Sequence, residues 1–274
     1  EYKQLAGRAG RPQYDPYGLV VVAKDSRGKE ECLRYILGHP EPVTSTLLGE
    51  ESLRRHVLAL IASGEASTLD ELISFLSNTF AAVRVSHTVL KSKVESALEL
   101  LEEMEMIEPD GDYYRATSIG EATSRLYIDP ATSFIVLEGL RGRTKTSEVF
   151  YLSLVGMTPD FSDINIPRQT LNWFEELYEE YVSRGEAPPE DLAAEFEEVD
   201  PVKGFVIGLI LRDWINEVPE RAIVERYGIE GGDLRVIKET GEWLTYAASV
   251  VSRVAGFNRH EQSLSVLAER VKHG

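Results

Sequence analysis

The sequence predicts a mainly α-helical chain in three parts: a short α/β tail, a winged helix and a helical bundle. Three observations carry that expectation. Apolar residues recur at steps of three and four through most of the chain, the period of an amphipathic helix. Three such stretches, beginning near Glu50, Thr68 and Ser86, run directly into a hairpin signal around Pro109-Asp110-Gly111-Asp112, which is the order of a winged helix. Beyond Asp129 no stretch alternates convincingly with the period of a strand, so the remainder reads as helices.

Taken in order, residues 18–25 (GLVVVAKD) are an apolar, β-branched run after a Tyr-Asp-Pro-Tyr-Gly turn and predict a buried strand. KEECLRYILGH predicts a short helix, and HPEPVTSTLLGE, with two prolines and small polar residues, a linker. From Glu50 to Ser63, Leu53, Val57, Leu60 and Ile61 share one helical face. Thr68 with Glu71 three residues on predicts a capping box. The third helix, about Ser86 to Met104, stacks Leu90, Val94, Ala97, Leu98, Leu101 and Met104 on one side. Ser118 with Glu121 predicts the cap of another helix. In the bundle, GFVIGLILRDWINE is apolar on nearly all sides as far as Arg212 and predicts the central buried helix. Pro219 suits a first helical turn, and Gly231-Gly232-Asp233 punctuates the start of a long helix.

The chain has 274 residues, more than one typical domain, and its 43% hydrophobic content suffices for buried cores. The sequence has no run of 18 apolar residues and no signal-peptide pattern, and reads as a cytoplasmic chain without membrane contact. A single cysteine, Cys32, excludes an internal disulfide framework and any multi-cysteine metal site. The net charge of −17 would repel nucleic acid if it were spread evenly. It is not: residues 160–200 carry 13 acidic and two basic side chains, whereas residues 201–274 carry ten of each sign. The acidic stretch reads as a solvated helix face and loop, and the remaining surface is free to include a local basic site.

The opening stretch EYKQLAGRAGRPQYDPYG poses a chemical question. Gly7 and Gly10 remove side chains beside Arg8 and Arg11, so the backbone can turn tightly and approach a ligand. Two guanidiniums three residues apart can point to one region. Their planar forks match phosphate oxygens and keep their charge in a cleft, which is what a γ-phosphate needs during transfer. Gln4, Gly7, Arg8, Gly10 and Arg11 together resemble the last motif of superfamily 2 helicases, Gln-x-x-Gly-Arg-x-Gly-Arg. TSIGEATSRLYIDPATS, through Thr117, Gly120, Ser124, Tyr127, Ile128 and Pro130, resembles the end of the winged helix in the archaeal HelQ-type (Ski-like) repair helicases. GFVIGLILRDWINEVPERAIVERYGIEGGDLR resembles their helical domain.

That resemblance implies residues 1–48 as the end of a second RecA-like domain with its linker, 49–128 as the winged helix and 129–274 as a helical "ratchet" domain. It implies Arg8 and Arg11 as arginine fingers toward ATP held on the first RecA-like domain. Gln4 would contact the γ-phosphate or attacking water, and Gly7 and Gly10 would shape the loop. ATP and Mg²⁺ would be cofactors of the full-length enzyme. No G-x-x-x-x-G-K-[ST] loop and no Asp-Glu-x-His motif occurs in the sequence. The expectation is therefore an internal or carboxy-terminal piece of a longer, monomeric enzyme, inactive alone and binding neither cofactor by itself.

The long helix from Asp233 gives the nucleic-acid reading. At about 100° per residue, Leu234, Ile237, Gly241, Leu244, Ala248, Val251 and Ala255 fall on one side. Arg235, Glu239, Glu242, Tyr246 and Arg253 fall opposite, with Trp243 at the edge of the polar side. A flat aromatic held near arginine suits stacking on single-stranded bases, although filling an interhelical gap would also suit it. The family resemblance implies a tryptophan and an arginine of this helix on the DNA, with Trp243 and Arg235 the nearest matches. Trp173 and Trp214 read as packing residues. Arg141, Arg143 and Lys145 form a compact basic loop that could touch phosphates or simply be solvated. His87, Lys91 and Lys93 make only a weakly basic third helix, so the winged helix reads as a brace for the RecA-like domain. The resemblance thus implies an ATP-dependent DNA helicase moving 3′ to 5′ on single-stranded or forked DNA, in repair or fork processing near the nucleoid. An RNA helicase of the same superfamily and a non-enzymatic winged-helix adaptor are the alternatives.

Overall fold

The computed structural model describes residues 2–10, 13–15, 17–23, 28–39, 42–144 and 146–274. The described chain is mainly α-helical and divides into two compact units, residues 1–45 and 46–274.

The first unit holds helices α1 (Tyr2–Ala6) and α2 (Lys29–Leu37), joined by Lys3 Nζ donating to the Ile36 carbonyl at 3.1 Å. The expected strand over 18–25 is not formed at its described residues, 18–23, and Leu19 is 82% exposed. A β-branched run has strand propensity, but a strand exists only through ladder partners, and among the described residues this segment has none.

The second unit begins with a winged helix. Helix α3 (Glu50–Ser63) buries Leu53, Val57, Leu58 and Ile61 and ends at Gly64, whose positive φ of 75° closes the helix. Helix α4 (Leu69–Ser77) starts at the reciprocal Thr68/Glu71 capping box. Helix α5 (His87–Glu103) starts at Ser86, whose hydroxyl accepts from the Val89 amide, and buries Leu90, Val94, Ala97, Leu98 and Leu101. Strands β1 (Ile107–Asp110) and β2 (Tyr113–Ala116) pair antiparallel with Asp110 opposite Tyr113. Gly111, at φ 68°, takes the first place of the two-residue turn, where a side chain would be strained. Tyr114 N donates to Ser67 O, tying the wing to the start of α4. Helix α6 (Ser118–Leu126) follows. Its N-cap is Thr117 and not Ser118: the Thr117 hydroxyl accepts from the Gly120 amide and donates to the Glu105 carbonyl, so one side chain serves both cap and wing.

The bundle consists of α7 (Pro130–Leu140), α8 (Glu148–Gly156), α9 (Arg168–Ser183), α10 (Pro201–Ile215), α11 (Glu220–Tyr227), α12 (Gly231–Val254) and α13 (Asn258–His273). Helix α10 is the central one, buried continuously from Gly204 to Leu211. It meets α8 unusually closely. A Cβ on Gly204 would come within 2.6 Å of Met157 Cα, and one on Gly208 within 2.6 Å of Ser153 N. Glycines let the two backbones approach, and the pair becomes a stiff spine for α9, α11, α12 and α13. Trp214 does pack, donating its indole N–H to the Val271 carbonyl at 2.8 Å with Lys238 over its ring. Trp173 does not: it stands 65% exposed on α9.

Winged helix and bundle are joined by a buried charge cluster that the sequence did not disclose. Arg54 on α3 is 2% exposed; it donates to Asp129 Oδ1 at 2.7 Å and to Glu198 Oε1 at 2.5 Å. Arg55 reaches Asp160 Oδ1 at 3.1 Å. Asp160 Oδ2 accepts from the Asp129 amide and from Thr132 Oγ1, and Asp129 Oδ1 caps α7 through the Ala131 amide. Burial, ahead of the opposing hydrogen bonds, holds the Asp160 carboxyl above its ordinary pKa. Burial works against the charge on Arg54, and Asp129 and Glu198 more than offset it, leaving that guanidinium above the usual arginine value.

Candidate nucleic-acid interface

Helix α12 is built to be held on one side and open on the other. Leu234, Ile237, Gly241, Leu244, Ala248 and Val251 are buried, as the 100° periodicity requires. Gly241 admits the Leu211 side chain of α10, whose methyls lie where a Cβ would sit. The opposite stripe is exposed and carries Arg235, Val236, Trp243, Tyr246, Arg253 and Val254.

Trp243 is 38% exposed and has two roles at once. Its indole N–H donates to the Leu126 carbonyl at 3.2 Å, so it satisfies one of the open carbonyls at the end of α6. That hydrogen bond fixes the ring plane while leaving ring surface in solvent. Tyr246, one turn on, is also exposed. Arg253 lies ten residues beyond Trp243, about 15 Å along the axis, and its side chain has no ion-pair or hydrogen-bond partner among the described residues. Arg235, about 12 Å the other way, is held by Glu239 at 2.8 Å, and that contact raises its pKa. An exposed pair of this kind is worth little and exchanges readily for a phosphate.

Of the predicted basic loop, Arg141 and Arg143 are engaged with different partners. Arg141 pairs with Glu138. Arg143 lies 4.0 Å over the Phe150 ring and donates to the Gly185 carbonyl, so its guanidinium works as a packing element. Lys145 lies outside the described residues. On the winged helix His87 and Lys91 are exposed, with Lys91 3.7 Å from Glu95.

In the first unit, α1 unwinds through Gly7 N donating to Lys3 O and Arg8 N to Leu5 O. Gln4 and Arg8 are exposed, and Gly10 has a φ of 84° that favours glycine. A Cβ on Gly18 would lie 2.2 Å from Ala9 C, so the loop folds back tightly on itself. An exposed arginine on a glycine-shaped turn fits a phosphate contact. Arg11 lies outside the described residues. Among the described residues no group of His, Cys, Asp and Glu side chains could hold a metal, and no helix is long and apolar enough to cross a membrane.

The winged helix and the helical bundle each have counterparts among known proteins. Residues 149–274 match the family described as archaeal helicase, domain 4, and residues 19–108 match a helix-turn-helix domain family. Along its whole length the chain is similar to proteins named ATP-dependent DNA helicase Hel308. It is 35% identical to that of Pyrobaculum calidifontis, 32% to that of Caldivirga maquilingensis and 33% to that of Pyrococcus horikoshii. All of this chain is covered in each case, and it spans 38% of the length of each relative.

Proposed function

We propose that this chain is part of an ATP-dependent DNA helicase that translocates 3′ to 5′ on single-stranded or forked DNA in repair. Its relatives carry the Hel308 name, and the likeness extends over the entire chain. In this reading Arg8 and Arg11 are arginine fingers, with Gln4, Gly7 and Gly10 forming the loop that brings them to the γ-phosphate of ATP. ATP and Mg²⁺ would be held largely by another part of the enzyme, which acts as a monomer. Residues 1–48, 49–128 and 129–274 would be the end of a RecA-like domain, a winged helix and a ratchet domain. Helix α12 grips the strand, with Trp243 and Tyr246 stacking on bases and Arg253 and Arg235 meeting phosphates. Arg141 and Lys145 add weaker phosphate contacts.

The observation that carries this reading is the exposed ring of Trp243, fixed by its bond to Leu126 on a helix whose other face is core. Two measurements test it. Arg11→Ala in the full-length enzyme is expected to abolish DNA-stimulated ATP hydrolysis while leaving DNA binding in place; unchanged hydrolysis refutes the finger assignment. Trp243→Ala is expected to weaken single-strand binding about tenfold, within the range for one base stack. Tighter binding of RNA than of a DNA strand of equal length would move the assignment to an RNA helicase.

A further inference from the structure

We propose that Tyr127 is a base-stacking residue that, with Trp243, forms a two-aromatic clamp on one base of a single strand. The inference rests on the strand-binding reading of α12 given above.

Tyr127 caps the end of α6 in the left-handed conformation, with φ 61° and ψ 21°. Glycine is the residue that takes this position without steric cost. A β-carbon here is strained; Glu105 and Glu217 take the same conformation, so it is the exposed ring at this place, and not the strain alone, that points to a ligand. Packing does not use it: the side chain is 81% exposed. Local hydrogen bonding does not use it either, since its hydroxyl has no partner among the described residues. A large ring left in water in a strained conformation is poised for something that arrives from solution.

Its neighbourhood says what arrives. The preceding carbonyl, Leu126 O, is the acceptor of the Trp243 indole N–H at 3.2 Å. Backbone geometry then puts Tyr127 Cα within roughly 6 Å of the indole nitrogen. No ring contact joins the two aromatics among the described residues, so their faces are not spent on each other. Arg125, the nearest cation in sequence, is drawn to Glu121 at 2.9 Å and leaves the tyrosine uncovered. Exposed Tyr246 extends the aromatic surface by one turn, and Arg253, without a partner among the described residues, supplies charge for the backbone of the same strand. Nucleic-acid bases have the flat faces that two such rings accept, and stacking requires no particular base.

The backbone strain makes the test specific. Full chains carrying Tyr127→Gly, Tyr127→Phe or Trp243→Ala are compared by anisotropy of labelled oligo-deoxythymidylate at low ionic strength and by thermal melting. Tyr127→Gly is expected to weaken binding roughly tenfold while raising Tm by about 2–4 °C as the strain is relieved. Tyr127→Phe keeps the ring and is expected to bind like the parent. Wild-type affinity in Tyr127→Gly with lost affinity in Trp243→Ala overturns the clamp and leaves the reading of α12 standing. Wild-type affinity in both overturns the two together. Loss in Tyr127→Phe equal to that in Tyr127→Gly would assign the effect to the hydroxyl and not to stacking.

Discussion

Removing the Arg54 guanidinium tests whether the winged helix and the bundle are joined by buried electrostatics. Arg54→Met keeps most of the aliphatic stem volume and deletes the charge. In the native protein Arg54 is 2% exposed and Asp129 fully buried, 2.7 Å apart, and Glu198 adds a second contact. Breaking a buried pair from one side costs about 3–5 kcal/mol, because the surviving charge is left desolvated. Here the stranded carboxylate retains the Ala131 amide and a 3.4 Å contact from Arg55, which places the loss toward the low end. The lost contact of the guanidinium with the Phe196 ring, 5.5 Å to its centroid, works the other way. We therefore expect about 3 kcal/mol, a Tm fall of roughly 6–12 °C for a unit of this size. Urea unfolding followed by far-UV circular dichroism gives the first figure and melting the second. Combining Arg54→Met with Asp129→Asn should recover part of the loss, since the stranded charge is then removed; Asn keeps an oxygen for the cap of α7. A single-variant loss below about 1 kcal/mol, the size of an exposed pair, would refute the view that these charges are desolvated in a dry junction.

Three further outcomes follow from the same structure. Gly208→Ala drives a methyl to within 2.6 Å of Ser153 N, where backbone cannot yield cheaply, and should cost about 1–3 kcal/mol by urea unfolding. Thr68→Ala removes one half of the capping box on α4 and should cost about 1 kcal/mol, with Glu71→Gln costing less because the amide oxygen still accepts. The raised Asp160 pKa has a definite sign: the folded state binds this proton more tightly than the unfolded chain. Its stabilising contribution is full below 3.8 and fades as pH rises through the folded value. Subtracting the stability–pH curve of Asp160→Asn from that of the parent should thus leave a difference that shifts in favour of the parent on acidification toward pH 3.8. A flat difference would contradict the direction of the shift.

The helices of the winged helix and the long bundle helices α10 and α12 were legible from period and end signals, whereas α7, α8 and α13 came only under the general helical reading beyond Asp129. Thr68 with Glu71 announced α4, and the core face of α12 was readable residue by residue except Ala255, which falls just past its end. Two failures have physical causes. The β-branched run after Gly18 was read as a strand from propensity, yet propensity cannot supply the neighbouring strand that a ladder needs. Ser118 was read as a cap by its pairing with Glu121, but the helix begins one residue earlier, because Thr117 can also reach the Glu105 carbonyl across the wing. The charge junction was invisible for another reason. Arg54 and Glu198 are 144 positions apart and each resembles an ordinary surface residue. The acidic stretch read as solvated in fact sends two carboxylates, Asp160 and Glu198, back into the molecule. At the candidate interface Trp243 and Tyr246 could be placed on the open side of α12 from period alone, whereas Arg143 could not be recognised as a packing residue without seeing Phe150 beneath it.

On the proposed reading α12 holds a moving strand, which is a mechanical demand beyond affinity. Any force on the bases is transmitted to whatever fixes the stacking ring. In this chain that support is stiff at two levels. The inner face of α12 is keyed to α10 by Gly241 over Leu211, and α10 is keyed to α8 by Gly204 and Gly208. The indole itself is pinned across to α6 through Leu126, and the winged helix that contains α6 is bound to the bundle by Arg54 and Asp129. On that same reading the bond to Leu126 serves motion as well as packing: a tryptophan free to change rotamer would stack on a base but could not resist its displacement. Trp243→Phe separates the two properties. It keeps most of the stacking surface and loses the N–H, so static affinity should fall only a few-fold while the link between α12 and α6 is released. If unwinding by the full-length enzyme then falls no further than its affinity does, the pinning of the ring contributes nothing to motion.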